Sequence, residues 1–235
     1  MKKIRNLFII FLLLFLGPYL LQLTIPFSVS AQTIDYTLSS SSYLGGSGPE
    51  HARDVAIDAQ GNIIIAGGTG SANFPVTLTD INTTPCPLTG SFGNWDTFVT
   101  KFSPTGSLLW SRRMGGMCYD RVYGLEVDLQ GNIYIAGRSG EGFPVTTGVF
   151  QTTFRGTNAG SYGNQNTFVA KLDANGNKIW ASYAGTGNMA RDIAVDDLGD
   201  IYIPLGYSGS GPYADSAWFT NAYQQHQGAE LKPVS

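Results

Sequence analysis

Charge is what this sequence has least of. Only 13% of its 235 residues are Asp, Glu, Lys or Arg, and the formal net charge is −3. A chain without a basic excess lacks the electrostatic footprint of a nucleic-acid binder, so no nucleic-acid partner is expected. Histidine and cysteine are scarce too, at two residues each. Two thiols with no neighbouring His cluster do not make a zinc site. Neither H-E-x-x-H, nor G-x-S-x-G, nor a Gly-rich phosphate loop with its Lys occurs. No catalytic, cofactor-binding or metal residue is therefore assigned, and no cofactor is expected. What the chain does have is 30 Gly, 12% aromatic and 43% hydrophobic residues. That is apolar enough to bury a core and too Gly-rich for a long-helix protein. Its turn density reads as all-β.

The apolar residues do not form a long run either. The longest unbroken one is Leu7–Leu16, behind the basic Lys2, Lys3 and Arg5. Gly17 and Pro18 end it, a weaker apolar stretch continues to Phe27, and Val29-Ser30-Ala31 is a small-residue site. Ten residues are short of the roughly 20 a spanning helix needs. Residues 1–31 read as a signal peptide cleaved before Gln32. The alternative is an uncleaved anchor that uses Gly17–Phe27 as extra span. No Cys follows the run, so a lipoprotein anchor is not indicated. The expected location is secreted or cell-surface, with no stable membrane span after cleavage. Removing 31 of 235 residues leaves 204, with 11 basic against 17 acidic, or −6. Export permits a disulfide between Cys86 and Cys118. Closing that loop of about 30 residues is worth roughly 3–4 kcal/mol. Two separate free thiols are the alternative, because a sequence does not give the Cα distance.

The chain repeats itself. DTFVTKFSPTGSLLW at Asp96–Trp110 returns as NTFVAKLDANGNKIW at Asn166–Trp180, 70 residues on. VAIDAQGNIIIAG at Val55–Gly67 returns as LEVDLQGNIYIAG at Leu125–Gly137, also 70 on, and as IAVDDLGDIYIPLG at Ile193–Gly206. Phe74-Pro75-Val76-Thr77 returns at Phe143–Thr146. Each unit holds two hairpins. The Asp of D-x-x-G-[ND], at Asp58, Asp128 and Asp196, opens a turn by bonding its own backbone, and the Gly supplies positive φ. Those carboxylates are turn-formers rather than calcium ligands, which need a denser set. Four strands per unit, repeated, predict β-propeller blades: four-stranded antiparallel sheets stacked face to face, so that apolar runs such as IYIAG are covered on both sides.

The combination D-x-F-V-x-K, G-x-x-x-W, a Gly-Gly loop, A-[IV]-D-x-x-G-N-x-Y-[IV]-x-G and a late F-P resembles the SBBP repeat, over roughly Tyr36 to Tyr207. NHL-type repeats share half of the pattern, without their Asn-x-Arg continuation here. The resemblance implies a β-propeller of the kind found in bacterial exported and surface proteins. It implies no single activity. The expected organisation is signal peptide 1–31, repeat region 32–223 and an unmatched tail 224–235.

The strand count comes to about eleven, or about three blades or fewer, which makes the propeller incomplete. It counts Tyr36–Leu44, Arg53–Asp58 and Asn62–Gly67 as the first three, with the chain starting mid-blade. A truncated gene product is preferred to a fragment of a longer surface protein or a protomer that closes by assembly; open blade edges would invite self-association. The leading function is a binding or scaffold module for a protein or carbohydrate ligand. The rivals are a hydrolase or lyase with its site at the propeller channel, and a gene remnant. His51 is read as a surface-loop residue. Its equivalents Arg121 and Met189 differ in type, which argues against a shared site. His226 lies in the tail. Trp110 and Trp180 read as inter-blade packing rather than a sugar platform. Arg53, Asp54, Arg191 and Asp192 read as blade-to-blade pairs. The F-P motifs sit in long connections between blades, and those loops are where recognition is sought.

Overall fold

The structure, a computed structural model, describes residues 38, 41–87, 93–185 and 189–206. The signal segment, its cleavage site, the tail and His226 lie outside the described residues. The chain divides into residues 1–42 and residues 43–235. Leu38, Ser41 and Ser42 of the first unit are exposed and not in strand, and everything below concerns the second.

That unit is all-β, with one short 3-10 turn among the described residues. Its strands are β1 (Glu50–Ile57), β2 (Ile63–Thr69), β3 (Leu78–Ile81), β4 (Asp96–Phe102), β5 (Leu108–Gly115), β6 (Arg121–Val127), β7 (Ile133–Ser139), β8 (Thr157–Asn158), β9 (Asn164–Leu172), β10 (Lys178–Tyr183), β11 (Met189–Ala190), β12 (Ala194–Val195), β13 (Ile201–Tyr202) and β14 (Leu205–Gly206). One sheet runs β1-β2-β4-β5-β3, the next β10-β9-β7-β6. Nested ladders β11-β14 and β12-β13 open a third repeat. These are propeller-type blades, two complete and one begun within the described residues, and they form an open stack rather than a closed ring.

The D-x-x-G-N turns hold the inner hairpins. Asp58 Oδ1 accepts the N–H groups of Gln60 and Asn62, and its Oδ2 accepts from the Asn62 amide. Asp128 and Asn132 repeat the pattern atom for atom. Gly131 closes the second turn at φ 81°, a backbone region that costs glycine nothing. The apolar run on β7 then serves two cores. Ile133 and Ile135 pack with Ile64, Val99 and Val122 between the complete blades. Tyr134 and Ala136 pack with Val169, Ala190 and Ile193 toward the third repeat. A strand's side chains alternate between faces, so covering both faces demands this unbroken apolarity.

Three expectations are corrected. Each blade starts with the D-x-x-G-N hairpin, so β1 begins a blade rather than continuing one. Residues 41–44 form no strand, and Tyr36, Thr37, Ser39 and Ser40 of the expected Tyr36–Leu44 strand lie outside the described residues. The F-P-V-T segments lie within blades, between the second and third strands, not between blades. Each folds back over the sheet: Phe74 meets Phe98 at 4.7 Å and Phe143 meets Phe168 at 4.4 Å. Thr77 then clips the outer strand. Its N–H donates to Ser111 O at 2.8 Å, and Ser111 N–H donates to Thr77 Oγ1 at 2.9 Å. Thr146 does the same with Ala181. In the first blade the segment continues as β3, parallel to β5. The blades are joined instead by the Gly115-Gly116 turn.

Candidate functional site

The inner strand of each blade carries a bulge at one repeated position. In β1 the pairing skips from Ala52 to Asp54, leaving Arg53 unpaired. In β6 it skips from Val122 to Gly124, leaving Tyr123 unpaired. In the third repeat the break between β11 and β12 holds Arg191. A bulge re-aims the extra side chain out of the pleat. Three repeats thus bring Arg, Tyr and Arg together: Arg53 lies 5.4 Å from the Tyr123 ring centroid and Arg191 5.9 Å. Gly124 makes the close approach possible. A Cβ there would lie 2.6 Å from the backbone of Asp192.

Two further guanidinium groups reach the same ring, Arg121 at 4.8 Å and Arg138 at 5.5 Å. Both side chains are buried. Arg138 also lies 4.6 Å from the Tyr162 ring and 5.9 Å from Tyr119. Its Nη2 contacts Met189 Sδ at 3.1 Å. Arg121 Nη1 donates to His51 Nδ1 at 2.6 Å; arginine has no acceptor, so the histidine nitrogen must accept. His51 rests 4.8 Å from Trp95, and Trp95 is followed by Tyr119 and then Tyr162. Trp95 and Tyr162 come from the two long loops.

Four cations therefore surround one ring. The ion pairs among the described residues lie elsewhere, at Lys101–Asp58, Arg113–Asp96 and Lys178–Asp80. Arg121 Nε and Arg138 Nε and Nη1 are buried without a hydrogen-bond partner. Nor does Tyr119 offer a phenolate to balance the charge. Burial pushes the Tyr119 hydroxyl up, and neighbouring Tyr123 adds to that. Asp120, next to Arg121 in the chain, turns its Oδ1 to Gly140 N–H, and burial pushes its carboxyl well above the usual range. Cation–π contacts of about 0.5–2 kcal/mol each offset part of the repulsion.

The placements change several expectations. His51 is in strand β1, not a loop. His51 and Arg121 do meet, and Met189 meets Arg138, which pairs with Arg121 across the hairpin, so the differing types are joined from one repeat to the next. Arg53 and Arg191 do cross between repeats, but onto a ring rather than onto Asp54 or Asp192. Asp54 crosses separately and accepts the Leu125 N–H at 2.8 Å. Tyr123 and Arg138 were not singled out from sequence. A one-residue bulge leaves no composition signal, though their 70-residue offsets from Arg53 and Gly68 point to the place. Trp110 is buried, and its Nε1 donates to Ala174 O in the next blade at 3.1 Å. Cys86 and Cys118 are bonded, with Cα atoms 4.6 Å apart. No group of three or more His, Cys, Asp or Glu able to hold a metal occurs among the described residues. No described helix is long and apolar enough to cross a membrane.

No family model matches the chain. It is similar to an uncharacterized WD repeat-containing protein of Acanthamoeba polyphaga mimivirus, 28% identical over 158 residues. The match takes in 63% of this chain and 11% of that protein, so the chain spans about a tenth of its relative's length.

Proposed function

We propose that this chain is an exported, bacterial-type β-propeller-repeat module that binds a ligand at the inner ends of its blades, acting at the cell surface or outside the cell. One observation carries the binding reading: equivalent bulge residues of three successive repeats converge on Tyr123, where buried guanidinium N–H groups lack a partner among the described residues. A site assembled from several repeats on stiff sheets is what a propeller offers a ligand. The WD-repeat relative supports a scaffold of this kind. The basic, apolar and small-residue order of residues 1–31 supports export, and the SBBP-like repeats support a surface role.

An enzyme site at the same place is the rival reading. It has in its favour the convergence of polar residues from several repeats, His51 among them. Two experiments test the proposal. Expressed from Met1 in a bacterium, the protein is expected outside the cytoplasm with Gln32 at its N-terminus; cytoplasmic retention sinks the export reading. Displayed on arrays of peptides and glycans, it is expected to retain a subset saturably without altering it. Turnover of a captured ligand favours the enzyme, and no retention at all overturns the module.

A further inference from the structure

We propose that the arginine cluster around Tyr123 is a binding site for a polyvalent oxyanion, a ligand bearing several carboxylate or sulfate groups. This rests on the binding-module reading and names the chemistry of its ligand. Arg53, Arg121, Arg138 and Arg191 each lie within 6 Å of one ring centroid. Arg121 and Arg138 are only 5% and 4% exposed, yet neither is in an ion pair among the described residues. Buried charge is ordinarily paired, because a lone ion is costly to take out of water. Among the described residues no counter-charge pairs with them, in a protein that carries net negative charge overall. Of the other buried cations, Lys101 is paired with Asp58, and Arg112, in no ion pair among the described residues, has its Nε satisfied by Gly176 O.

The geometry divides the labour. Arg121 and Arg138 are fixed behind Tyr123 by His51, Met189 and the stacked tyrosines, and supply positive potential from low-dielectric surroundings. Arg53 and Arg191 are exposed and approach Tyr123 from the repeats on either side. They supply the accessible forks that donate hydrogen bonds to carboxylate or sulfate oxygens. Because they come from different repeats, a ligand with more than one anionic group engages both where a single small anion engages one.

The test uses the intact protein and two probes, citrate for carboxylates and sulfate for tetrahedral oxyanions, titrated calorimetrically at low salt. Saturable binding of one or both is expected, weakening as salt rises. Arg53→Gln and Arg191→Gln are each expected to weaken it about tenfold, since a charge-assisted hydrogen bond is worth about that much. Arg155→Gln removes equal charge but no contact to the cluster, and is expected to change nothing. Citrate without sulfate, or the reverse, identifies the ligand's anionic group. No saturable binding of either probe overturns the proposal, as does binding that both cluster variants retain or that Arg155→Gln weakens equally. Both variants are surface changes, and an unchanged circular dichroism spectrum confirms that loss of binding is not loss of fold. Array retention of neutral ligands alone would leave the module standing while removing the oxyanion site.

Discussion

The two complete blades are built from one repeat yet are held differently. In the second, Leu125 on β6 is buried and Ile133 and Ile135 are fully so, because the first blade covers that face. In the first, the equivalent Val55 and Ile57 are 61% and 69% exposed, and Ile63 and Ile65 are half-buried. The turn carboxylates are also answered differently. Asp58 takes Lys101 Nζ at 2.8 Å with both side chains buried. Asp128 takes the Tyr134 hydroxyl at 3.1 Å, while Lys171 stands over the Tyr134 ring at 4.7 Å. At the blade corner, Asp96 pairs with Arg113. Its counterpart Asn166 belongs to a neutral network with Gln151 and Gly185. Burial in a stacked fold is thus set by the neighbour as much as by the sequence, and one backbone position accepts unlike electrostatic solutions.

The largest test of that difference is Lys101→Met. It leaves the Asp58 carboxylate buried without its cation and is expected to cost about 4 kcal/mol. Lys171→Met, losing a ring contact, is expected to cost about 1 kcal/mol or less. Equal losses in denaturant titrations would erase the distinction.

Only the first blade has the Cys86–Cys118 link. Peptide mapping without reductant is expected to find the two cysteines joined. Reduction is expected to cost roughly 3–4 kcal/mol. Free thiols in protein folded under oxidising conditions would contradict the link.

Leu125→Ala opens a cavity between blades and is expected to cost about 3 kcal/mol, whereas Val55→Ala on the open face costs less than about 1 kcal/mol. If Val55→Ala proves as damaging, some other part of the protein covers that face.

A smaller effect depends on pH. Burial raises the Asp58 carboxyl, but bonds from Lys101 and Asn62 outweigh it and hold the group at about 2, below the usual 3.8. A depressed carboxylate contributes stability above its unfolded pKa and loses it as pH falls through the folded one. Wild type should therefore exceed Asp58→Asn by about 2 kcal/mol near neutrality, with the gap closing between pH 4 and 2. A gap that stays constant down to pH 2 would rule out the charge as its source.

The smallest is Tyr134→Phe, which removes one bond to Asp128 and should cost about 1 kcal/mol. In the first blade Ile64 occupies that place, so the change converts one blade's solution toward the other's without its lysine. A loss as large as that of Lys101→Met would make the hydroxyl equivalent to an ion pair.

Much of the fold was legible because hairpin chemistry is local. Asp58, Gly131 and the β2 and β7 apolar runs announce turns and doubly covered strands without reference to anything distant. The phase of the blade was not legible. A periodic sequence reads the same from either hairpin, and only lateral pairing of β2 with β4, across 26 residues that include β3, fixes which two hairpins share a sheet. The site was hidden for a related reason. His51, Arg121 and Met189 are equivalents that a sequence comparison expects to match, whereas in the stack His51 touches Arg121 of the next repeat and Met189 touches Arg138, the strand partner of Arg121. Unlike residues are then complementary.

The threonine clip has a consequence on the timescale of amide exchange. In an unclipped sheet the outermost strand has one laddered side and one facing water, and its protons are the first to trade with solvent. Here Ser111 and Ala181, on the outermost antiparallel strands, donate outward to Thr77 and Thr146 hydroxyls. The slow-exchanging region should therefore extend past β4 and β9 to the rim, and Thr77→Val should let deuterium into β5 while leaving β10 as it was.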